Sequence, residues 1–179
     1  MRSLVLGILG SALLSSVAFA DDAAAPAPAP APAAGALPAI DPSVVPPQCQ
    51  TLAAIPGDAT VAAPSVEAYI ATAGCGAEAK FEAIKGSLTP DDAGVAAMTD
   101  AAKPYFGLLD AAIKAGDPTW TPVAQKARMD LVASMIVRMR NSIPPITMQT
   151  VGPALADHDA KHAALEPKIQ PWIDMLAGK

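Results

Sequence analysis

Apolar side chains that recur every three or four positions, in segments divided by proline and glycine, most constrain the fold of this chain. The longest uninterrupted segment lies between Pro122 and Pro144. Its apolar seam consists of Met129, Val132, Ile136, Met139 and Ile143. This spacing places the side chains on one face of an α-helix, where they pack against a neighbouring helix. Because no segment alternates with a period of two for long enough to indicate a sheet, the sequence predicts an all-α fold, a small helical bundle of four to six helices.

Glycine, proline and capping residues indicate where the predicted helices begin and end. One short segment covers residues 65–74, and a second covers about 76–86, each closed by a glycine. Residues 89–92 begin the next helix, because threonine caps a helix, proline suits the first turn, and acidic side chains stabilise the positive end of the helix dipole. The Thr121-Pro122 pair repeats this start signal.

Three prolines fall inside predicted helices. We expect the helix that contains Pro104 to stop or kink just before it, because an internal proline removes a backbone hydrogen bond and clashes with the preceding turn. The last segment, from 152 to about 177, contains Pro167 and Pro171. It is therefore either one kinked helix or two helices in succession.

The predicted core is modest, because much of the hydrophobic content is alanine. Alanine is the strongest helix former but buries little area, so the helices should pack closely. The larger apolar anchors are Ile70, Phe81, Ile84, Leu88, Tyr105, Phe106, Leu109, Ile113, Val132, Ile136, Leu155, Leu165, Ile169, Trp172 and Leu176. A core of this size gives a reason for the bundle to need a covalent link.

Cys49 and Cys75 are the only two cysteines of the chain. In an exported protein, a lone pair of cysteines indicates a disulfide rather than two free thiols. The bond would close a loop of 27 residues, counting both cysteines. In the chain-entropy estimate, closing such a loop stabilises the folded protein by roughly 3.5 kcal/mol. The chain has no Cys-x-x-Cys pair and no Cys-x-x-Cys-His motif, so a structural bond is favoured over redox catalysis or covalent haem attachment.

The N-terminal residues have the pattern of a secretory signal peptide over 1–20. Arg2 supplies the positive charge, residues 4–14 form a short apolar run, and residues 18–20 read Ala-Phe-Ala, which signal peptidase accepts. The apolar run is about half the roughly 20 residues that a transmembrane helix needs. We therefore expect the chain to be exported, periplasmic or secreted, with no transmembrane segment after cleavage.

Residues 21–48 form an Ala/Pro-rich linker in this interpretation, and residues 49–179 form the helical bundle domain. Four Ala-Pro steps lie between positions 23 and 34. Proline removes amide donors and fixes the backbone, so we expect a disordered, extended leader. It is either a spacer that holds the domain away from an envelope surface or a solvated tail without a partner.

His158 and His162 form the one constellation that suggests chemistry. They are the only histidines of the chain, and their separation of four places both rings on one face of a helix. They share that face with Leu155, Leu165, Ile169, Trp172 and Leu176. Burying an imidazole among apolar residues costs free energy unless its ring nitrogens have partners.

Three interpretations of the histidine pair stay open. In the first, the rings bond neighbouring carboxylates or backbone carbonyls, or they lie in solvent near the start of the helix. In the second, they bind Zn or Cu, with Glu166 or an acidic residue of another helix as a third ligand. In the third, one histidine ligates a b-type haem, with Met129 or Met139 opposite, as the architecture of helical bundles allows. The methionines are otherwise interpreted as core residues.

Charge and motif content argue against several classes of function. The net charge of −5 disfavours a nucleic-acid partner. The only basic cluster, Arg128, Arg138 and Arg140, is explained by a solvated helix face. The chain has no nucleophile elbow, phosphate-binding loop, dinucleotide fingerprint or zinc-protease motif. A Ser/His/Asp triad stays open, because its members need not be close in sequence.

The sequence therefore predicts an exported, non-catalytic helical-bundle protein that acts as a binding or structural module of the cell envelope. Its partner would be an unidentified envelope or extracellular molecule. The alternative is a metal- or haem-binding periplasmic bundle that uses His158 and His162.

Overall fold

The computed structural model describes residues 37–51, 65–146 and 153–178. These residues form four α-helices and no β-strand. The helices are α1 (Val66–Ile84), α2 (Asp92–Lys114), α3 (Thr121–Asn141) and α4 (Pro153–Leu176), with short 3-10 turns at Pro42–Val44, Pro47–Cys49 and Lys85–Ser87. The predicted all-α bundle of at least four helices is confirmed. The predicted signal peptide and residues 21–36 of the predicted linker lie outside the described residues.

Consecutive helices pack on one another, α1 on α2, α2 on α3 and α3 on α4, with lighter contacts from α1 to α3 and from α2 to α4. The most deeply buried large side chains are Tyr69, Phe81, Met98, Leu109, Val132, Met135, Met139, Leu165 and Ile169. Three methionines therefore fill the core, as expected of a flexible side chain that adapts to gaps between alanine-rich helices. One predicted anchor is wrong, because Leu155 is 46% exposed.

Helix α1 is a single helix where the sequence predicted two. It runs through Gly74 and Gly76 without a break, and the Oγ atom of Ser65 caps it by accepting a hydrogen bond from the Ala68 amide. Gly76 is buried beneath the ring of Tyr105. The glycine therefore serves close packing of α1 on α2, and tertiary contacts override its low helix propensity.

Helices α2 and α4 continue through their internal prolines. Helix α2 does not stop at Pro104, and α4 is one helix across Pro167 and Pro171 rather than two in succession. Leu165 and Ile169, on either side of Pro167, are both fully buried. Their burial offsets the cost of about 3 kcal/mol that an interior proline imposes on a helix.

The predicted starts of α2 and α3 are confirmed in position, but the predicted caps are not. Asp91 and not Thr89 caps α2, and α3 has no side-chain cap. Helix α2 begins one residue after Asp91, whose Oδ1 atom accepts a hydrogen bond of 3.0 Å from the Gly94 amide. The Thr89 hydroxyl donates to the same oxygen at 2.7 Å. Helix α3 begins at Thr121 with proline in its first turn.

The segment before Cys49 packs against the bundle. Ile40 and Val45 are buried in the core cluster, and the Tyr69 hydroxyl donates a hydrogen bond to the carbonyl oxygen of Pro38. Residues 37–48, which were predicted to belong to the disordered linker, are therefore packed on the bundle. Two apolar side chains that lie between the prolines of this stretch reach the core. No helix in the described part of the chain is long and apolar enough to cross a membrane.

Candidate functional site

Helix α4 brings the rings of His158 and His162 together near its first turns. The ring centroids lie 4.5 Å apart, and the ring planes are tilted by 57°. The side chain of His158 is 23% exposed, and its Nδ1 atom lies 3.5 Å from an Asp159 carboxylate oxygen. That nitrogen is buried and has no hydrogen-bond partner among the described residues. The shared face that the spacing predicted is therefore present, with one ring nitrogen left unsatisfied.

Glu166, the predicted third ligand, is bound by an arginine of another helix. The Nε and Nη2 atoms of Arg140 on α3 donate to its two carboxylate oxygens at 2.8 and 2.7 Å. These hydrogen bonds lower the pKa of the Glu166 carboxyl below its usual value. Both oxygens are thus directed at the guanidinium, and the described residues contain no group of three His, Cys, Asp or Glu side chains placed to hold a metal ion.

A small surface cleft adjoins His158. It has a volume of about 180 Å³ and is lined by His158, Asp157 and Lys161 of α4 together with residues 143–146. Sites that bury a drug-sized ligand measure about 300–1,000 Å³. Met139, one of the two predicted haem ligands, is fully buried in the core, and Met129, the other, is partly buried.

The basic cluster of α3 faces solvent only in part, which corrects the interpretation from sequence. Arg140 is exposed, whereas Arg128 and Arg138 are partly buried. Arg138 is only 16% exposed on its side chain and pairs with both Glu78 and Glu82 of α1. Its guanidinium carbon lies 5.6 Å from the centroid of the Phe81 ring, within cation–π range. The spacing of the two glutamates, four apart on α1, is the signal from which this contact could have been predicted.

Arg128 makes a second contact of the same kind. Its Nε donates to Asp110 of α2 at 3.1 Å, and its guanidinium carbon lies 5.6 Å from the centroid of Phe106. Its Nη1 atom lies 3.7 Å from the Met175 sulfur on α4. With Arg140 bound to Glu166, the three arginines of α3 each contact a different part of the bundle, and their role is interhelical packing.

The predicted disulfide is confirmed. Cys49 bonds to Cys75, which lies 26 positions later in the middle of α1, with Cα atoms 5.8 Å apart. Cys49 is fully buried. The bond joins the N-terminal segment to the first helix, and the chain has no free cysteine.

Two larger clefts lie elsewhere on the surface. One, of about 440 Å³, is lined by Lys85, Val137 and Arg138 among others, and the second, of about 230 Å³, lies between α1 and α3. Neither cleft is lined by a histidine, so neither assembles a serine with a histidine base. No protein-family model, curated protein or solved structure matches the chain.

Proposed function

We propose that this chain is an exported, non-catalytic helical bundle that serves as a binding or structural module of the cell envelope. The disulfide between Cys49 and Cys75 carries the proposal. Disulfides form and persist in oxidising compartments, whereas cytosolic thiols are kept reduced. Both cysteines of the chain are used in this one bond.

The pattern of residues 1–20 supports export independently of the cysteines. A charged start, a short apolar run and the Ala-Phe-Ala sequence would direct the chain across a membrane and permit cleavage after Ala20. The partner that follows from this location is an envelope or extracellular molecule. A net charge of −5 makes nucleic acid an unsuitable partner.

The arrangement of charged side chains supports a structural role over a catalytic one. Arg128, Arg138 and Arg140 all pair with carboxylates of other helices. Groups engaged in this way hold helices together and do not act as acids, bases or nucleophiles. Of the three clefts described above, the two that are lined by serine contain no histidine, and the one that is lined by histidine contains no serine.

Expression of the full chain in a bacterial host, followed by fractionation and intact-mass measurement, tests the proposal. We expect periplasmic or secreted protein whose first residue is Asp21 and whose mass is lower by the two thiol hydrogens. The control variant carries Ala18→Leu and Ala20→Leu, which block cleavage without changing the cysteines. Uncleaved chain in the cytosol with two alkylatable thiols contradicts export.

An activity screen of the same purified protein tests the second half of the proposal. We expect no turnover of ester, peptide, phosphate or glycoside substrates above that of buffer. Turnover that is lost on substitution of a single named residue contradicts the non-catalytic assignment.

A further inference from the structure

We propose that His158 and His162 chelate one divalent transition-metal ion on the surface of α4, with Cu²⁺ as the preferred ion. This inference is independent of where the chain resides and of whether its leader is cleaved. It rests on three observations of the described residues: the separation of the rings, the unsatisfied nitrogen of His158, and the open cleft beside it.

The separation of the rings matches a particular coordination angle. With a metal–nitrogen bond of about 2.0–2.1 Å, each ring centroid lies about 3.2 Å from a shared ion. Two such centroids are about 4.5 Å apart when the N–metal–N angle is about 90°, and about 5.2 Å apart at the tetrahedral angle. The observed separation is 4.5 Å. It lets both rings reach one ion at the angle of neighbouring ligands in a square-planar or tetragonal complex, the geometry that Cu²⁺ and Ni²⁺ prefer.

The surroundings of His158 resemble those of metal-bound histidines. Such histidines donate the proton of the second ring nitrogen to a carboxylate, which fixes the tautomer and orientation of the ring. Here the Nδ1 atom of His158 is buried without a hydrogen bond and lies 3.5 Å from Asp159. A small rotation of that exposed aspartate makes it the acceptor, which leaves Nε2 as the ligand nitrogen.

Water completes the coordination of the ion. Glu166 is directed at Arg140 and is not required. The cleft of about 180 Å³ that His158 lines has room for several water molecules. Asp157 at its edge is paired with Lys161, so the metal charge is balanced by solvent and not by that carboxylate. A site with two protein ligands and open positions binds more weakly than a closed structural site and follows the general order of affinities, in which Cu²⁺ exceeds Ni²⁺ and Zn²⁺.

The proposal is tested with the untagged protein, purified from a host that expresses the full chain. The protein is titrated with Cu²⁺, and binding is followed by calorimetry and electron paramagnetic resonance. We expect one ion per chain and a spectrum that shows two nitrogen ligands. His162→Gln should weaken binding by at least about 10- to 100-fold, the loss that removal of an outer-shell partner alone produces. Ni²⁺ and Zn²⁺ should bind in the same place more weakly.

A matched control keeps two histidines but separates them. The double variant His162→Gln with Ala160→His places the rings at positions 158 and 160, which differ by about 200° around a helix of 3.6 residues per turn. Ala160 is exposed, so the fold should be unaffected, as circular dichroism would verify. The control should bind Cu²⁺ as weakly as His162→Gln. If it binds as tightly as the unaltered protein, or if Zn²⁺ binds more tightly than Cu²⁺, the proposal is overturned.

Discussion

At the scale of single residues, Gly76 shows how closely α1 and α2 approach. A Cβ atom at this position would lie 2.3 Å from a ring carbon of Tyr105, which is itself buried. Gly74, two residues earlier in the same helix, is exposed and has no atom within 4 Å of such a Cβ. The two glycines thus differ in function although they are neighbours in sequence.

We predict that Gly76→Ala destabilises the protein, whereas Gly74→Ala stabilises it. Overpacking a buried site costs about 1–3 kcal/mol, which exceeds the gain of about 1 kcal/mol in helix propensity. At Gly74 an added methyl group meets no neighbour, so the substitution gives only the gain in helix propensity. The free energy of unfolding in urea, measured for both variants, checks the prediction. Equal effects of the two substitutions would show that Tyr105 moves aside without cost.

Arg138 provides a prediction of pH dependence. Its hydrogen bond lowers the pKa of the Glu82 carboxyl, which is 4.5 in the absence of such contacts. A carboxyl whose pKa is lowered on folding stabilises the protein above its unfolded-state pKa, and this contribution is lost as the pH falls through the folded-state value. We therefore expect the urea midpoint to fall as the pH decreases below about 5.

The variant Arg138→Met separates this contribution from general acid denaturation. It removes the charge that lowers the pKa of Glu82, so the midpoint should depend less on pH over the same range. Lys126→Met is the matched control, because its ion pair with Asp130 is exposed within a single helix and contributes little. Parallel pH profiles for all three proteins would contradict the assignment.

The position and spacing of the histidine pair could be predicted from sequence, but the ion pair that engages Glu166 could not. The partner of Glu166 is Arg140, which lies 26 positions earlier on a different helix. Helical periodicity specifies which residues share a face of one helix, and it carries no information about which face of another helix lies opposite. The partner of Arg128, Asp110, also lies on another helix and could not be predicted for the same reason.

At the scale of secondary-structure elements, the start of α2 depends on the side chain of Asp91. It accepts a hydrogen bond from the Gly94 amide and one from the Thr89 hydroxyl. These hydrogen bonds lower the pKa of the Asp91 carboxyl, and the bond from Thr89 has the larger effect. The side chain thus satisfies an amide that the first turn of the helix would otherwise leave unpaired.

We predict that Asp91→Ala lowers the stability by about 0.5–2 kcal/mol, the usual loss for a helix N-cap. Asp100→Ala removes the same charge from an exposed position in the middle of α2. It should change the free energy of unfolding by no more than about 0.5 kcal/mol. Chemical denaturation of both variants at neutral pH gives the comparison. A loss as large at Asp100 would show that charge, and not capping, is responsible.

The number and type of elements follow from sequence, whereas their continuity does not. Apolar spacing predicted the helices, and the Thr-Pro pairs predicted where α2 and α3 begin, although neither threonine caps its helix. Glycine at 74 and 76 and proline at 104, 167 and 171 predicted interruptions that the structure does not contain. Local propensities of this kind amount to about 1 kcal/mol for glycine and 3 kcal/mol for proline, and burial of residues on both sides outweighs them.

At the scale of the whole molecule, the N-terminal segment is joined to the bundle at three places. Ile40 and Val45 are buried in the core, Tyr69 binds the Pro38 carbonyl, and the disulfide links Cys49 to α1. Of residues 37–51, the described part of this segment, only two large apolar side chains are buried. The covalent bond therefore contributes a large part of what holds this segment in place.

We predict that the double variant Cys49→Ala with Cys75→Ala loses about 2–4 kcal/mol of stability, because the unfolded chain regains the freedom of a loop that the bond had closed. Alanine is used because a serine hydroxyl at the fully buried position 49 would add a desolvation cost. The loss should appear in urea denaturation, and the oxidised parent treated with reductant should approach the variant. Hydrogen exchange at the amides of Val45 and Cys49, which bond to Pro42 and Pro46 carbonyls, should accelerate more than exchange in α3. Uniform acceleration would instead show that the bond stabilises the bundle as a whole and not this segment.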